Sequence, residues 1–268
     1  MLLSRRTALT GALFAVPAFA RAQVPSNDAN AALAELERTA GGRLGVSMLN
    51  LATGRSAGHR QDERFLLCST FKALAAAFVL ARVDRKEEKV DRRIVFSKKD
   101  LVSWSPGTEA YTGGRGMTVA ALCEAAVTQS DNTAANLLLK SFGGPAGLTA
   151  FLRSIGDKAT RLDRYEPALN EHDGPNDLRD TTSAAATLET LRTLLFGDVL
   201  SKPSRAQLAA WLNESDVQHV IYSSCNAKSL ARDLERLDNY TPQLARVMDM
   251  FPQTSHYEVI VKLERKVA

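Results

Sequence analysis

Six helical stretches follow one another from residue 70 onward, at 70–85, 119–128, 133–140, 147–155, 183–196 and 204–212. Each is read from apolar residues recurring three and four apart, with glycines at several exits. Ahead of them lies one more amphipathic stretch, capped at 26–28, carrying Leu33, Ala34 and Leu36 and ending at Gly41-Gly42. Only two strands precede the run, an alternating segment at 43–51 and a return at 55–59, joined by a turn at Thr53-Gly54. A short antiparallel pair beside many helices predicts a mixed α/β chain of the α+β kind, and the pair needs further sheet partners. Internal repeats and low-complexity tracts are absent from the sequence.

Composition agrees with a folded chain. With 268 residues, 45% hydrophobic and 24% charged, and a mean hydropathy of -0.16, there is enough apolar material for a sizeable core in one large or two modest domains. The formal charge of +4 is mild and its lysines and arginines are scattered among acids, so no nucleic-acid partner is expected. Three cysteines, Cys68, Cys123 and Cys225, are too few for a disulfide scaffold, and no spacing suits a metal, so no structural zinc is expected.

The start of the chain reads as an address. Ser4-Arg5-Arg6 leads into an apolar run at 8–19, and Ala18-Phe19-Ala20 or Ala20-Arg21-Ala22 offers a small-residue cleavage site. The expectation is a signal peptide over 1–22 and a periplasmic or secreted product. Paired arginines fit the twin-arginine route, and a general secretory signal also begins with basic residues. The apolar run is too short to span a bilayer, which disfavours an anchor.

Three motifs carry chemistry. Ser69 stands three residues before Lys72 in Cys68-Ser69-Thr70-Phe71-Lys72, at the start of the 70–85 segment. First-turn amides of a helix point outward unpaired, so they can hold an oxyanion, and the helix dipole favours negative charge there. At i+3 the Lys72 amine shares a face with the Ser69 hydroxyl, where it can relay the proton during attack. A single Ser-x-x-Lys arises by chance in many helices, as a capping serine and a solvated lysine, so its company decides. Ser130-Asp131-Asn132 falls between two helical segments, where a short loop aims a hydroxyl and an amide into a cleft while the aspartate ties the loop down; alone it is a helix cap. Glu166-Pro167-Ala168-Leu169-Asn170 falls in a polar loop between Arg161 and Asp180, and a glutamate and an amide four apart can hold a water; alone it is loop polarity.

In this order the three motifs match the signature of serine β-lactamases and penicillin-binding proteins, and the glutamate loop points to the class A branch. From about 33 to 211 the chain resembles a class A β-lactamase, also in Trp104-Ser105-Pro106, in Arg161-Leu162-Asp163-Arg164-Tyr165-Glu166 and in Arg179-Asp180-Thr181-Thr182. The resemblance implies a monomer with an all-helical subdomain beside an antiparallel sheet subdomain, acting on small-molecule β-lactams through an acyl-serine, with no metal or organic cofactor. By motif, Ser69 is the nucleophile, Lys72 and Glu166 share general-base work, and Ser130 passes a proton to the lactam nitrogen. Asn132 and Asn170 position substrate and water, Trp104 walls the cleft, and Arg164 with Asp180 pins the glutamate loop. Cys68 beside the nucleophile is expected to be a buried thiol.

Past Trp211 the pattern changes. No Lys-Thr-Gly or Lys-Ser-Gly occurs in the chain, so the sheet subdomain is expected to be incomplete. Instead Val220-Ile221-Tyr222-Ser223-Ser224-Cys225-Asn226 is followed by Ala231-Arg232-Asp233-Leu234, Asp249-Met250-Phe251-Pro252-Gln253-Thr254 and His256-Tyr257-Glu258. That succession resembles the end of an RNA uracil-5 methyltransferase, which implies Cys225 as nucleophile and Glu258 as base. Beside it stands a plainer reading, Cys225 as a small buried apolar residue and Glu258 as the polar face of a strand. Nothing in the chain offers a strand and glycine turn for S-adenosylmethionine or an RNA-binding module, so methylation is not expected. Strands at 217–223, 244–248 and 257–263 and a helix at 227–237 describe a βαββ piece of a Rossmann-like, largely parallel sheet.

The expected organisation is therefore a signal peptide, a truncated β-lactamase-like region at 23–211 and a methyltransferase-like fragment at 212–268. In such a chimera β-lactam hydrolysis is expected to be impaired or absent, since the missing strand would supply the second oxyanion amide and the grip on the substrate carboxylate. Losing one oxyanion donor costs about 100- to 1000-fold in turnover. The alternatives are a penicillin-binding acyl-enzyme without turnover, a fragment of a 23S rRNA or tRNA uracil-5 methyltransferase, and a chimera with no function.

Overall fold

The segment that begins at the Ser-x-x-Lys motif becomes the axis of the molecule. In the computed structural model, which describes residues 27–49, 51, 54, 56–174, 176–212, 222–224, 240–248 and 258–265, helix α2 (Phe71–Asp84) is buried on every side. Phe71, Leu74, Ala75, Ala76, Ala77, Val79, Leu80 and Ala81 are all buried, as a helix apolar all round requires. Around it pack α3 (Val119–Thr128), α4 (Asn132–Ser141), α5 (Gly144–Ser154) and α7 (Lys202–Leu212). Phe78 of α2 stacks on Phe151 with ring centroids 4.4 Å apart and meets Phe142 at 4.7 Å. Asp84 closes the far end by accepting from the Ser201 amide and from the hydroxyls of Ser201 and Ser204, each at 2.7 Å.

Helix α1 (Asn27–Ala40) stops where predicted, with Gly41 and Gly42 at φ +74° and +99°, the left-handed region glycine enters without steric cost. Strands β1 (Val46–Leu49) and β2 (Ser56–His59) pair antiparallel with Val46 opposite His59 and Leu49 opposite Ser56. Glu37 on α1 ties the helix to this hairpin, accepting from the Leu44 amide at 2.8 Å, His59 Nε2 at 2.9 Å and Arg60 Nε at 2.7 Å. Helix α6 (Ala184–Phe196) packs on β1.

The helical part is not all-helical. Strand β3 (Arg64–Leu66) pairs antiparallel with β6 (Thr181–Ser183), and β4 (Arg93–Ile94) with β5 (Met117–Thr118). Segments of two or three residues carry no readable period-2 pattern, and the β3–β6 ladder joins residues 117 positions apart. Its effect is functional, because it brings the exit of the glutamate loop against the entry to α2.

In the tail, β7 (Tyr222–Ser224), β8 (Tyr240–Met248) and β9 (Glu258–Arg265) form a three-stranded sheet in the order β7-β9-β8. Both pairings are antiparallel, where the sequence suggested part of a largely parallel sheet. β7 and β8 share a direction only across β9, because a strand antiparallel to both separates them. Among the described residues, no ladder joins this sheet to β1–β2. The predicted helix at 227–237, residues 217–221 of the predicted strand at 217–223, residue 257 of the strand at 257–263 and Cys225 lie outside the described residues. Glu258 opens β9 opposite Met248.

Candidate active site

Ser69 sits in a 3-10 turn, Cys68–Thr70, that runs directly into α2, so its hydroxyl stands at the positive end of a fully buried helix. Lys72 is on the first turn of α2 and only 1% exposed, an unusual place for an ammonium unless it is paired. Its Nζ donates to Ser69 Oγ at 3.0 Å, to Ser130 O at 2.9 Å and Oγ at 3.1 Å, and to Asn132 Oδ1 at 2.5 Å. Glu166 Oε1 lies 3.2 Å away, at ion-pair distance but without hydrogen-bond alignment. Burial pushes the Lys72 amine below the ordinary lysine range, opposed by the nearby charges of Glu166, Asp131 and Cys68. Cys68 is half-buried rather than buried as expected, and its backbone is left-handed at φ +43°.

Ser130 Oγ donates to Ser69 Oγ at 2.9 Å, which makes the two hydroxyls and the Lys72 amine one connected cluster. The loop that presents Ser130 is held by Asp131, fully buried at the N-cap of α4. Asp131 accepts from the Ala134 amide at 2.7 Å, the Gly107 amide at 2.8 Å, the Thr108 amide at 2.9 Å and the Thr108 hydroxyl at 3.0 Å. Thus the aspartate both caps the helix and ties a second loop to it. Asn132 is fixed at its other end by donation from Nδ2 to Ser103 O at 2.8 Å. Trp104 stands beside it at 60% exposure, its indole N–H donating to Gln129 O at 3.1 Å and its carbonyl accepting from the Asn132 amide at 3.0 Å. Trp104, Ser130 and Asp180 all adopt left-handed backbone at φ +54° to +60°, a cost of about 1–2 kcal/mol each that these bonds offset.

Glu166 is 4% exposed, so the polar loop buries its acid. Asn170, in a 3-10 turn Ala168–Asn170, donates to Glu166 Oε2 at 2.8 Å. Glu166 Oε1 and Asn170 Oδ1 are both buried acceptors that no protein group satisfies with a hydrogen bond, and one water between them would serve both. The loop is pinned at its base by Arg164, whose Nε donates to Asp180 Oδ2 at 2.6 Å and whose Nη2 donates to Glu171 O at 2.6 Å. Asp180 is fully buried and also accepts the amides of Asp163 at 2.7 Å and Arg164 at 2.9 Å, while its carbonyl accepts the Leu67 amide at 2.8 Å.

The structure therefore brings Ser69, Lys72, Ser130, Asn132, Glu166 and Asn170 together, with Trp104 at the rim and Asp131, Arg164 and Asp180 in support. It also adds one residue that sequence reading passed over. Asn136 on α4, only 6% exposed, donates from Nδ2 to Glu166 O at 3.0 Å and accepts at Oδ1 from the Glu166 amide at 2.9 Å. The available signal was an asparagine within the apolar run Ala134-Ala135-Asn136-Leu137-Leu138-Leu139, a buried polar group that must find partners. Among the described residues there is no group of three or more His, Cys, Asp or Glu that could hold a metal, and no helix long and apolar enough to cross a membrane.

A buried lysine joining two serines and a glutamate, on an α+β frame with a central apolar helix, defines a serine-centred acyl-transfer architecture. The β-lactamase enzyme family matches residues 28–233, past the Trp211 boundary expected from sequence. The chain belongs to that family, and its relatives place it in class A. It is 49% identical over 183 residues to β-lactamase L2 of Stenotrophomonas maltophilia, covering 68% of this chain and 60% of that protein. The chain thus spans about 60% of the length of that curated relative. Among solved structures, an ancestral (GNCA) class A β-lactamase is similar at TM-score 0.68 and 49% identity, covering 89% of this chain and 92% of the other. The putative class A β-lactamase PenP from Rhodopseudomonas palustris follows at TM-score 0.67 and 45% identity, with the same two coverages.

Proposed function

We propose that this chain opens β-lactam rings through an acyl-Ser69 intermediate. One observation carries the reading: Lys72 Nζ, on a side chain that is itself buried, lies within 3.2 Å of Ser69, Ser130, Asn132 and Glu166. Burial favours the neutral amine, and the adjacent Glu166 carboxylate gives the proton a second place to reside, so either group can accept it from Ser69 as the hydroxyl attacks. Ser130, bonded to both Ser69 Oγ and Lys72, is placed to hand a proton to the departing lactam nitrogen. A water bound by Glu166 and Asn170 would then attack the ester, with Glu166 taking its proton. The helix-terminal amide at Ser69 supplies one oxyanion donor, and turnover is expected about 100- to 1000-fold below that of a site with two.

Two measurements test this. Purified chain should hydrolyse a chromogenic cephalosporin, and Glu166→Ala should instead accumulate one penicilloyl group on Ser69 by intact mass. Absence of both hydrolysis and adduct would end the proposal. Adduct without hydrolysis in the unmutated chain would make it a penicillin-capturing protein.

Export to the periplasm or beyond, with loss of residues 1–22, is part of the same reading, supported by the basic start, the apolar run and the alanine sites. Amino-terminal sequencing of secreted protein tests it. We infer also that the tail derives from a uracil-5 methyltransferase end. The motif succession supports this. Sequencing the source DNA across the Trp211 codon tests the junction, and a calorimetric titration with S-adenosylmethionine is expected to be flat.

A further inference from the structure

We infer that Thr133 is a positioning residue that sets the Trp104 wall, and through it favours β-lactams whose acyl side chain ends in an aryl ring. The inference rests on the acyl-Ser69 reading and adds the part of the substrate that the rim selects. Thr133 is the second residue of α4 and fully buried, so it acts through another residue rather than on the substrate. Its Oγ1 accepts the Val102 amide at 2.9 Å and stands 2.7 Å from Ser105 Oγ, which itself donates to Val102 O at 2.8 Å. A serine hydroxyl has one proton, and that of Ser105 goes to the carbonyl, so the Thr133 hydroxyl donates to Ser105. The three bonds close a ring, from the Val102 amide through Thr133 and Ser105 back to the Val102 carbonyl, with every donor pointing the same way around. Each bond polarises the next, and Thr133 fastens the whole ring to α4.

Residues 102–105 are what this ring encloses, and Trp104 is among them. Trp104 holds left-handed backbone at φ +60°, which for a bulky side chain persists only where the surroundings impose it. Its indole N–H donates to Gln129 O at 3.1 Å, yet the residue is 60% exposed, so the backbone of the turn decides where the face of the indole stands. An aryl side chain of a substrate stacks on that face, and an alkyl one gains far less from it. The Lys72 cluster does not depend on the ring. Lys72 Nζ reaches Asn132 Oδ1, and Asn132 follows Asp131, whose carboxylate is held by the amides of Gly107, Thr108 and Ala134. Removing the Thr133 hydroxyl therefore releases Trp104 and leaves the contact between Lys72 and Ser69 in place.

The test compares benzylpenicillin with 6-acetamidopenicillanic acid, which keeps the side-chain amide and lacks the aryl ring. Both are given to the full chain and to Thr133→Val, Thr133→Ser and Ser105→Ala, with T133V also built into Trp104→Ala. In T133V the benzylpenicillin KM should rise about threefold to tenfold, while its kcat and both constants for the acetamido compound stay within about twofold. T133S keeps the hydroxyl and should restore the parent values, and S105A should move in the direction of T133V. In the W104A background T133V should change the ratio between the two substrates no further, since two residues acting through one contact are not additive. Equal losses for both substrates, an undiminished effect in W104A, or a T133S as impaired as T133V would each overturn the inference; if T133V fails to fold, S105A carries the same comparison. A second readout needs no β-lactam. The chain has two tryptophans, and Trp211 is buried, so acrylamide quenching of fluorescence follows Trp104 and should steepen in T133V and S105A. A chain that reacts with neither penicillin ends the acyl-Ser69 reading, and the quenching then decides the role of Thr133 by itself, with unchanged quenching in both variants counting against it.

Discussion

Asn136 grips Glu166 by both faces of its main chain, donating to the carbonyl at 3.0 Å and accepting from the amide at 2.9 Å. Glu166 is therefore positioned from α4, the same helix whose cap, Asp131, holds the Ser130 loop. Replacing Asn136 by Ala or Leu strands a buried amide and a buried carbonyl, each costing about 1–3 kcal/mol. The variant should lose about 2–6 kcal/mol in urea denaturation. Its acyl-enzyme should persist longer than that of the unmutated chain, which a mass time course after penicillin addition reads directly. Unchanged acyl lifetime would remove Asn136 from the positioning of Glu166.

Arg164→Ala leaves the Asp180 carboxylate, which is fully buried, with backbone amides as its partners and no cation. Breaking a buried pair from one side typically costs about 3–5 kcal/mol. The loop between Arg161 and Asp180 should then open to trypsin at Arg179 faster than the rest of the chain, followed by gel and mass mapping. Cleavage no faster than at other sites would mean that the Arg164–Glu171 and Arg164–Asp180 bonds do not hold the loop.

Lys72 gives stability a pH dependence of known sign. Its folded pKa lies below the ordinary 10.5, so the unfolded chain binds this proton more tightly than the folded one. Unfolding is favoured by that term at pH below the folded value, and the penalty recedes as pH rises from there toward 10.5. The stability gap between the chain and its Lys72→Met variant should narrow over that window in urea titrations, and a gap that widens with pH would contradict the burial argument.

Glu37 acts in the opposite sense. Arg60, then His59, then the Leu44 amide hold its pKa down to about 2 from 4.5. A lowered carboxylate contributes stability above the unfolded value and loses it as pH falls toward about 2. The Glu37→Gln variant should therefore unfold at a higher pH than the parent does on acid titration, and its β1–β2 amides should exchange faster. Coincident acid transitions would show that the α1-to-hairpin tie contributes nothing.

The helices of the core were legible because burial of a helical face leaves a local periodic mark, and α2, α3 and α4 begin and end within two residues of expectation. Ser69 and Lys72 were legible for the same reason, since i and i+3 share a face in any helix. The Ser130-Asp131-Asn132 segment announced itself as a helix cap by residue type, whereas Ser183, read as the first residue of its helix, is the cap of α6.

What those residues meet was decided by tertiary structure. That Lys72 reaches Ser130 and Asn132, that Thr108 and Gly107 saturate Asp131, and that Asn136 fastens Glu166 are facts about segments brought together from 20 to 60 positions apart. No periodicity records such meetings, because they follow from packing and from the need of every buried polar group to find a partner. The sequence alone determined which segments coil and which side chains can react; only the closed core fixed which of them share a proton.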